Sequence, residues 1–155
     1  MEMLEYRYFE DMNIGDKSIS QGRTITEADI VNFAGLSGDY NSLHIDAEFA
    51  KKSIAGQRLA HGLLIMTVAS GLFTRTPYNL SLTKSLMAFT EMKSWQFVKP
   101  VVISDTIRVE VEVLEKIDIK PNRGRVILKR TILNQRDEIV QTGETVMLIA
   151  KRKNI

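Results

Sequence analysis

The chain contains no cysteine among its 155 residues, which excludes disulfides, thiolate nucleophiles and cysteine-ligated metals. Histidine is nearly as scarce. There are only two, His44 and His61, and their surroundings lack the spacing of a metal-ligand set, so no metal is expected. No charge of one sign dominates: 21 basic and 19 acidic side chains leave a net charge of +2, too balanced to argue for nucleic acid. There is no apolar run long enough for a membrane helix, so no membrane contact is expected. The N-terminal stretch MEMLEYRYFEDM carries acids where a signal peptide needs a basic start and an apolar core. A cytoplasmic protein is the expectation.

What is present suits a globular chain. Hydrophobic residues make up 44% and charged residues 26%, close to globular averages, and the length suggests one domain over residues 1–155. The first element is a short strand over Lys17 to Ile25. Thr26 reads as a helix N-cap with Asp29 at the third helical position. Ile30, Phe33 and Ala34 then form an apolar side, and Gly38 is a natural terminator. Asp39 to Ser42 is a loop, and Asp46 caps a short helix over Ala47 to Lys52.

From His61 to Phe73 the apolar residues point all round the helix axis, which predicts a helix surrounded by protein. Met66 and its neighbours read as core, not as a cofactor box, and no cofactor is expected. Thr74 to Ser85 reads as a loop. The pattern then changes to a period of two. A strand from Met87 to Val98 ends before Pro100, and three more strands follow around turns at Pro121–Gly124 and Gln135–Asp137. Arg130 falls in phase with Val126, Leu128 and Ile132 on one of them. The last three strands are expected to form an antiparallel meander.

Asp39 and His44 are five residues apart at the end of the first helical pattern, and His61-Gly62 opens the apolar helix. A carboxylate and an imidazole near a helix N-terminus can move a proton beside a developing oxyanion. Gly62 is the candidate oxyanion donor, because free N–H groups at a helix start favour negative charge and the missing side chain allows close approach.

The string Phe33 to His44 (FAGLSGDYNSLH) resembles the signature of the MaoC-like (R)-specific enoyl-CoA hydratases. Ala60-His61-Gly62-Leu63-Leu64, Ser70-Gly71-Leu72, Val98-Lys99-Pro100-Val101 and Asp105-Thr106-Ile107 resemble later parts of the same family in the same order. Ser42 and Ser104 depart from it, standing where that family usually has proline and often has glycine.

The resemblance implies an α+β hot-dog fold, an antiparallel sheet wrapped around one long helix. It implies a homodimer, or a higher oligomer, that binds an acyl-CoA or acyl-carrier-protein thioester. Asp39 and His44 would activate water and move protons, and Gly62 would hold the thioester oxygen. Asn41, Ser70 and His61 are the residues expected against the substrate. Each has a plainer reading: Asn41 as loop-shaping, Ser70 as back-bonding within its helix, His61 as orienting the helix start. Ser70 lies eight residues past Gly62, about 12 Å along the axis, and is assigned to the pocket near the Asp39–His44 pair. Two other readings stay open. One is a hot-dog thioesterase, although His61 to Arg75 holds no Asp or Glu; the other is a non-catalytic acyl-CoA-binding protein.

Overall fold

The computed structural model describes residues 5–152. Its twelve elements begin with a single 3-10 turn, Phe9–Asp11, and two short strands, β1 (Lys17–Ile19) and β2 (Arg23–Thr24). The single strand expected over Lys17 to Ile25 is thus divided. Ser20 leaves the sheet edge to bond Val109, its backbone N–H donating to the Val109 carbonyl and its hydroxyl accepting from the Val109 N–H.

Helix α1 (Glu27–Ser37) starts where its cap places it. Thr26 Oγ1 accepts from the Asp29 N–H, and an Asp29 oxygen accepts from the Thr26 N–H, a reciprocal capping box. It stops at Gly38, whose φ of 76° is the left-handed conformation that glycine adopts without cost. Two single-turn helices follow, α2 (Ser42–Ile45) and α3 (Ala47–Ala50), the second capped by Asp46.

Helix α4 (Gly62–Thr74) is the central helix. Leu64, Ile65, Val68, Ala69, Leu72 and Phe73 are buried in the core with Ile107, Val109, Val111 and Val113. Its other side is open. Leu63 is 57% exposed, and Thr67, Ser70 and Gly71 are exposed as well. The expectation of a helix enclosed on all sides is therefore corrected: within one chain α4 is half covered.

The segment read as a loop contains α5 (Pro77–Ser81). Thr76 Oγ1 accepts from the Asn79 N–H, and Pro77 occupies the first turn, where a missing N–H costs nothing.

Strands β3 (Leu86–Phe97), β4 (Thr106–Lys120), β5 (Arg123–Leu133) and β6 (Ile139–Ala150) complete a wholly antiparallel sheet in the order β1-β4-β5-β6-β3, with β2 also on β4. The meander β4-β5-β6 is as expected; β3 closes onto β6 at the edge. This is the hot-dog arrangement, with the inner sheet face against α4. Near its end β3 carries a bulge, where Ser94 and Trp95 lie between the pairs Lys93–Glu144 and Gln96–Thr142. Ser94 has a φ of 50°, and Trp95 packs over Gly143, where a Cβ would come within 2.6 Å of the indole.

Candidate active site

Three segments meet at the N-terminus of α4. The first is the α1–α2 loop. Asp39 follows Gly38 and is exposed; its N–H donates to Ser37 Oγ at 3.2 Å, and its Oδ1 accepts from the Asn41 N–H at 3.3 Å. Asn41 is the N-cap of α2, its Oδ1 accepting from the Leu43 N–H at 3.0 Å. This bond shapes the loop.

His44 lies in the single turn of α2. Its Nδ1 is 2.7 Å from the Leu59 carbonyl, and a carbonyl only accepts, so Nδ1 carries a proton, and in the neutral ring the lone pair lies on Nε2. Leu59 is itself fixed, since its N–H donates to the Leu43 carbonyl and it bridges to Val102.

His61, the N-cap of α4, is only 2% exposed. Its ring stacks on His44 with centroids 3.8 Å apart and planes 28° apart, and it packs against Phe33. By the same reasoning as for His44, His61 Nε2 donates to the Asp39 carbonyl at 2.9 Å, while its Nδ1 is buried without a hydrogen-bond partner. His61 therefore ties the Asp39 loop to the helix start. It positions the site from below, and its burial takes it away from the substrate-facing place expected for it.

An Asp39 carboxylate oxygen and a ring nitrogen of each histidine lie within 4.8 Å of one another. That convergence is closer than the sequence spacing suggested. It does not suit a metal ion well, because imidazoles bind metal in their own planes. Two rings stacked face to face do not meet at a common point about 2.0–2.1 Å from both nitrogens. It does suit a water: two hydrogen bonds of about 2.8 Å meeting at a tetrahedral angle span about 4.6 Å.

His44 lines a cavity of about 490 Å³ together with Leu59, Gly62, Leu63, Phe97 and Gln141 among others; Asp39 is not among its walls. Gly62 opens α4, and its N–H has no acceptor among the described residues. Its glycine identity has a contact reason as well, since a Cβ there would meet the Phe97 ring at 2.7 Å. Gln141 holds the helix start: its Nε2 donates to the Gly62 carbonyl at 2.8 Å, and its Oε1 accepts from Trp95 Nε1 at 3.1 Å.

Ser70 is not at this site. It lines a second cavity of about 260 Å³, with Met66, Phe89, Trp95, Arg130 and Thr145 among its walls. Two helical turns separate it from Gly62, so within one chain the assignment of Ser70 to the pocket near Asp39 and His44 is corrected. Phe97, Gln141 and Arg130 went unnoticed as site residues. Arg130 alone left a signal, a cation in phase with the apolar face of its strand.

Ser42 occupies the first position of α2, after Asn41 with φ −57° and ψ 136°. Those angles suit the residue before a proline, and a helix's first position tolerates its missing N–H. Ser42→Pro is expected to stabilise the chain by about 0.4–1 kcal/mol through the unfolded state, raising Tm by about 1–4 °C in a thermal melt. A lower Tm would show that the ring does not fit.

Fold and site together define a hot-dog protein with a carboxylate–imidazole pair at the start of its central helix. The family described as MaoC like domain matches residues 11–135, and the chain belongs to it. Protein MaoC of Klebsiella aerogenes is 40% identical over 105 residues, which span 68% of this chain and 30% of that protein. A 3-hydroxybutyryl-CoA dehydratase of Methylorubrum extorquens is 34% identical over 97% of this chain and 88% of its own. Among solved structures, a protein described as a monoamine oxidase regulatory protein, from Archaeoglobus fulgius, superposes with a TM-score of 0.90. It is 41% identical over 96% of this chain and 97% of that one. No helix among the described residues is long and apolar enough to cross a membrane.

Proposed function

We propose that this chain is a hydro-lyase that reversibly adds water to trans-2-enoyl thioesters, giving (R)-3-hydroxyacyl products. The observation that carries the reading is the Asp39 carboxylate within 4.8 Å of a His44 nitrogen, beside a cavity lined by His44 and Gly62. The family, and the dehydratase relative whose named reaction runs in the opposite direction, support it.

His44, through its unprotonated Nε2, takes a proton from the water as its oxygen bonds to C3. The alkene electrons move to the thioester oxygen, where the Gly62 N–H and the start of α4 meet the negative charge. The electrons return as C2 takes a proton, with Asp39 positioning the water and sharing in that delivery. The pair acts as a unit on one water. Because one pair serves both carbons from one side, the addition is syn. The Leu59 carbonyl keeps the His44 ring in the required tautomer.

The same proposal takes a CoA or carrier-protein thioester as substrate and a homodimer as the working form. Strand β3 supports the dimer: it is a sheet edge on which Leu86, Met87, Phe89, Met92 and Phe97 are exposed. Such an edge is ready to pair with another chain.

The test is the absorbance of the enoyl thioester on mixing with crotonyl-CoA. Hydration removes the conjugation, so the absorbance is expected to fall. Binding without a fall would turn the reading into a non-catalytic acyl-CoA binder. Release of free CoA from a saturated acyl-CoA would turn it into a thioesterase.

A further inference from the structure

Arg130 is a buried cation with no counter-ion among the described residues. It lies on β5, is 5% exposed, and its Nε has no hydrogen-bond partner. No carboxylate pairs with its guanidinium among the described residues, and burial alone pushes its pKa down, to about 10. It remains charged near neutral pH. The Phe73 and Phe89 rings hold the guanidinium, with centroids 4.7 and 5.5 Å from its central carbon. Cation–π contact of this kind fixes a cation in place but does not neutralise it.

This cation lines the 260 Å³ cavity, whose other walls are mostly apolar apart from Ser70 and threonines. The two cavities lie in series along α4. The first has Gly62 and Leu63 facing Phe97 and Gln141; the second has Met66 and Ser70 facing Trp95 and Thr145. Each sits between the helix and strands β3 and β6. A thioester carbonyl on the Gly62 N–H would therefore direct its acyl chain along α4 toward Arg130. A buried guanidinium presents a rigid fork of donors that matches a carboxylate in charge and shape.

We infer that Arg130 receives a carboxylate at the far end of the acyl group, which makes the substrate class 2-enoyl thioesters of dicarboxylic acids. This rests on the hydratase reading for the chemistry, but the specificity is tested without it. Trp95 is the one tryptophan of the chain and lines the cavity, so its fluorescence reports occupancy directly. Saturated acyl-CoA pairs, succinyl against butyryl, adipoyl against hexanoyl and suberoyl against octanoyl, differ only at the chain end. Within at least one pair the wild-type protein is expected to bind the carboxylate-ended member at least about tenfold more tightly. Arg130→Met is expected to abolish that preference while binding of the methyl-ended member changes little. Arg130→Lys, which keeps the charge but not the fork, is expected to retain part of it.

Equal affinity within every pair for the wild-type protein would overturn the inference, as would a preference that survives in Arg130→Met. If Arg130→Met does not fold, the wild-type comparison and Arg130→Lys still decide. A preserved preference in a protein that hydrates no enoyl thioester would sink the hydratase reading alone.

Discussion

Replacing Asp39 by Asn or His44 by Ala is expected to lower turnover of crotonyl-CoA by at least about a hundredfold. Asp39→Asn keeps the side chain's shape and its bond from the Asn41 N–H, but removes the charge that the proposed mechanism uses to hold the water. His44→Ala removes the base and also the ring that stacks on His61. If the two groups share one water, as proposed, the double variant is expected to lose about as much as one single variant, not the product of both. Steady-state kinetics on the three proteins, with circular dichroism to show that each is folded, make the check. Undiminished turnover in either single variant would remove the pair from the chemistry. A double loss equal to the product would show two independent roles.

Gly62→Ala is the second large effect, an expected fall in kcat/KM of about a hundredfold. The new methyl would lie 2.7 Å from two atoms of the Phe97 ring, so either the ring or the helix start must move. A displacement of about 1 Å at a catalytic donor is enough for a loss of that size. The double variant Gly62→Ala, Phe97→Ala separates packing from chemistry. It removes the collision but leaves the methyl beside the thioester, so activity is expected to stay low. Full recovery would mean that the glycine serves only the Phe97 contact.

Much of this was legible because the signals were local. The Thr26–Asp29 capping box, the Gly38 stop and the Asp46 cap are short-range hydrogen-bond chemistry, and the structure has each of them. The alternation of Ile107, Val109, Val111 and Val113 likewise became a buried strand face. Helix α5 was missed although its signals, Thr76 followed by Pro77, were equally local; the polar run around them read as loop.

The remaining errors are tertiary. An apolar helix looks the same in sequence whether its outer face meets protein or a groove. Leu63, Met66 and Ser70 turned out to face the groove. The stacking of His61 on His44 joins residues seventeen apart, and the Leu59 carbonyl that holds the His44 ring is a tertiary contact too, which no motif encodes. Trp95 and Gln141 meet because a bulge turns one strand end, and bulges leave little trace in a two-residue period.

Gln141 has a consequence of its own. An indole only donates and a carbonyl only accepts, so the amide has one orientation that serves both Trp95 and Gly62. The wall of the inner chamber and the peptide that opens the central helix are thereby joined through a single side chain. On the proposed reading, an acyl tail that shifts the indole would pull on the same amide that steadies the Gly62 peptide. Tail recognition in this chain should accordingly register in the speed of the reaction as well as in the grip on the substrate.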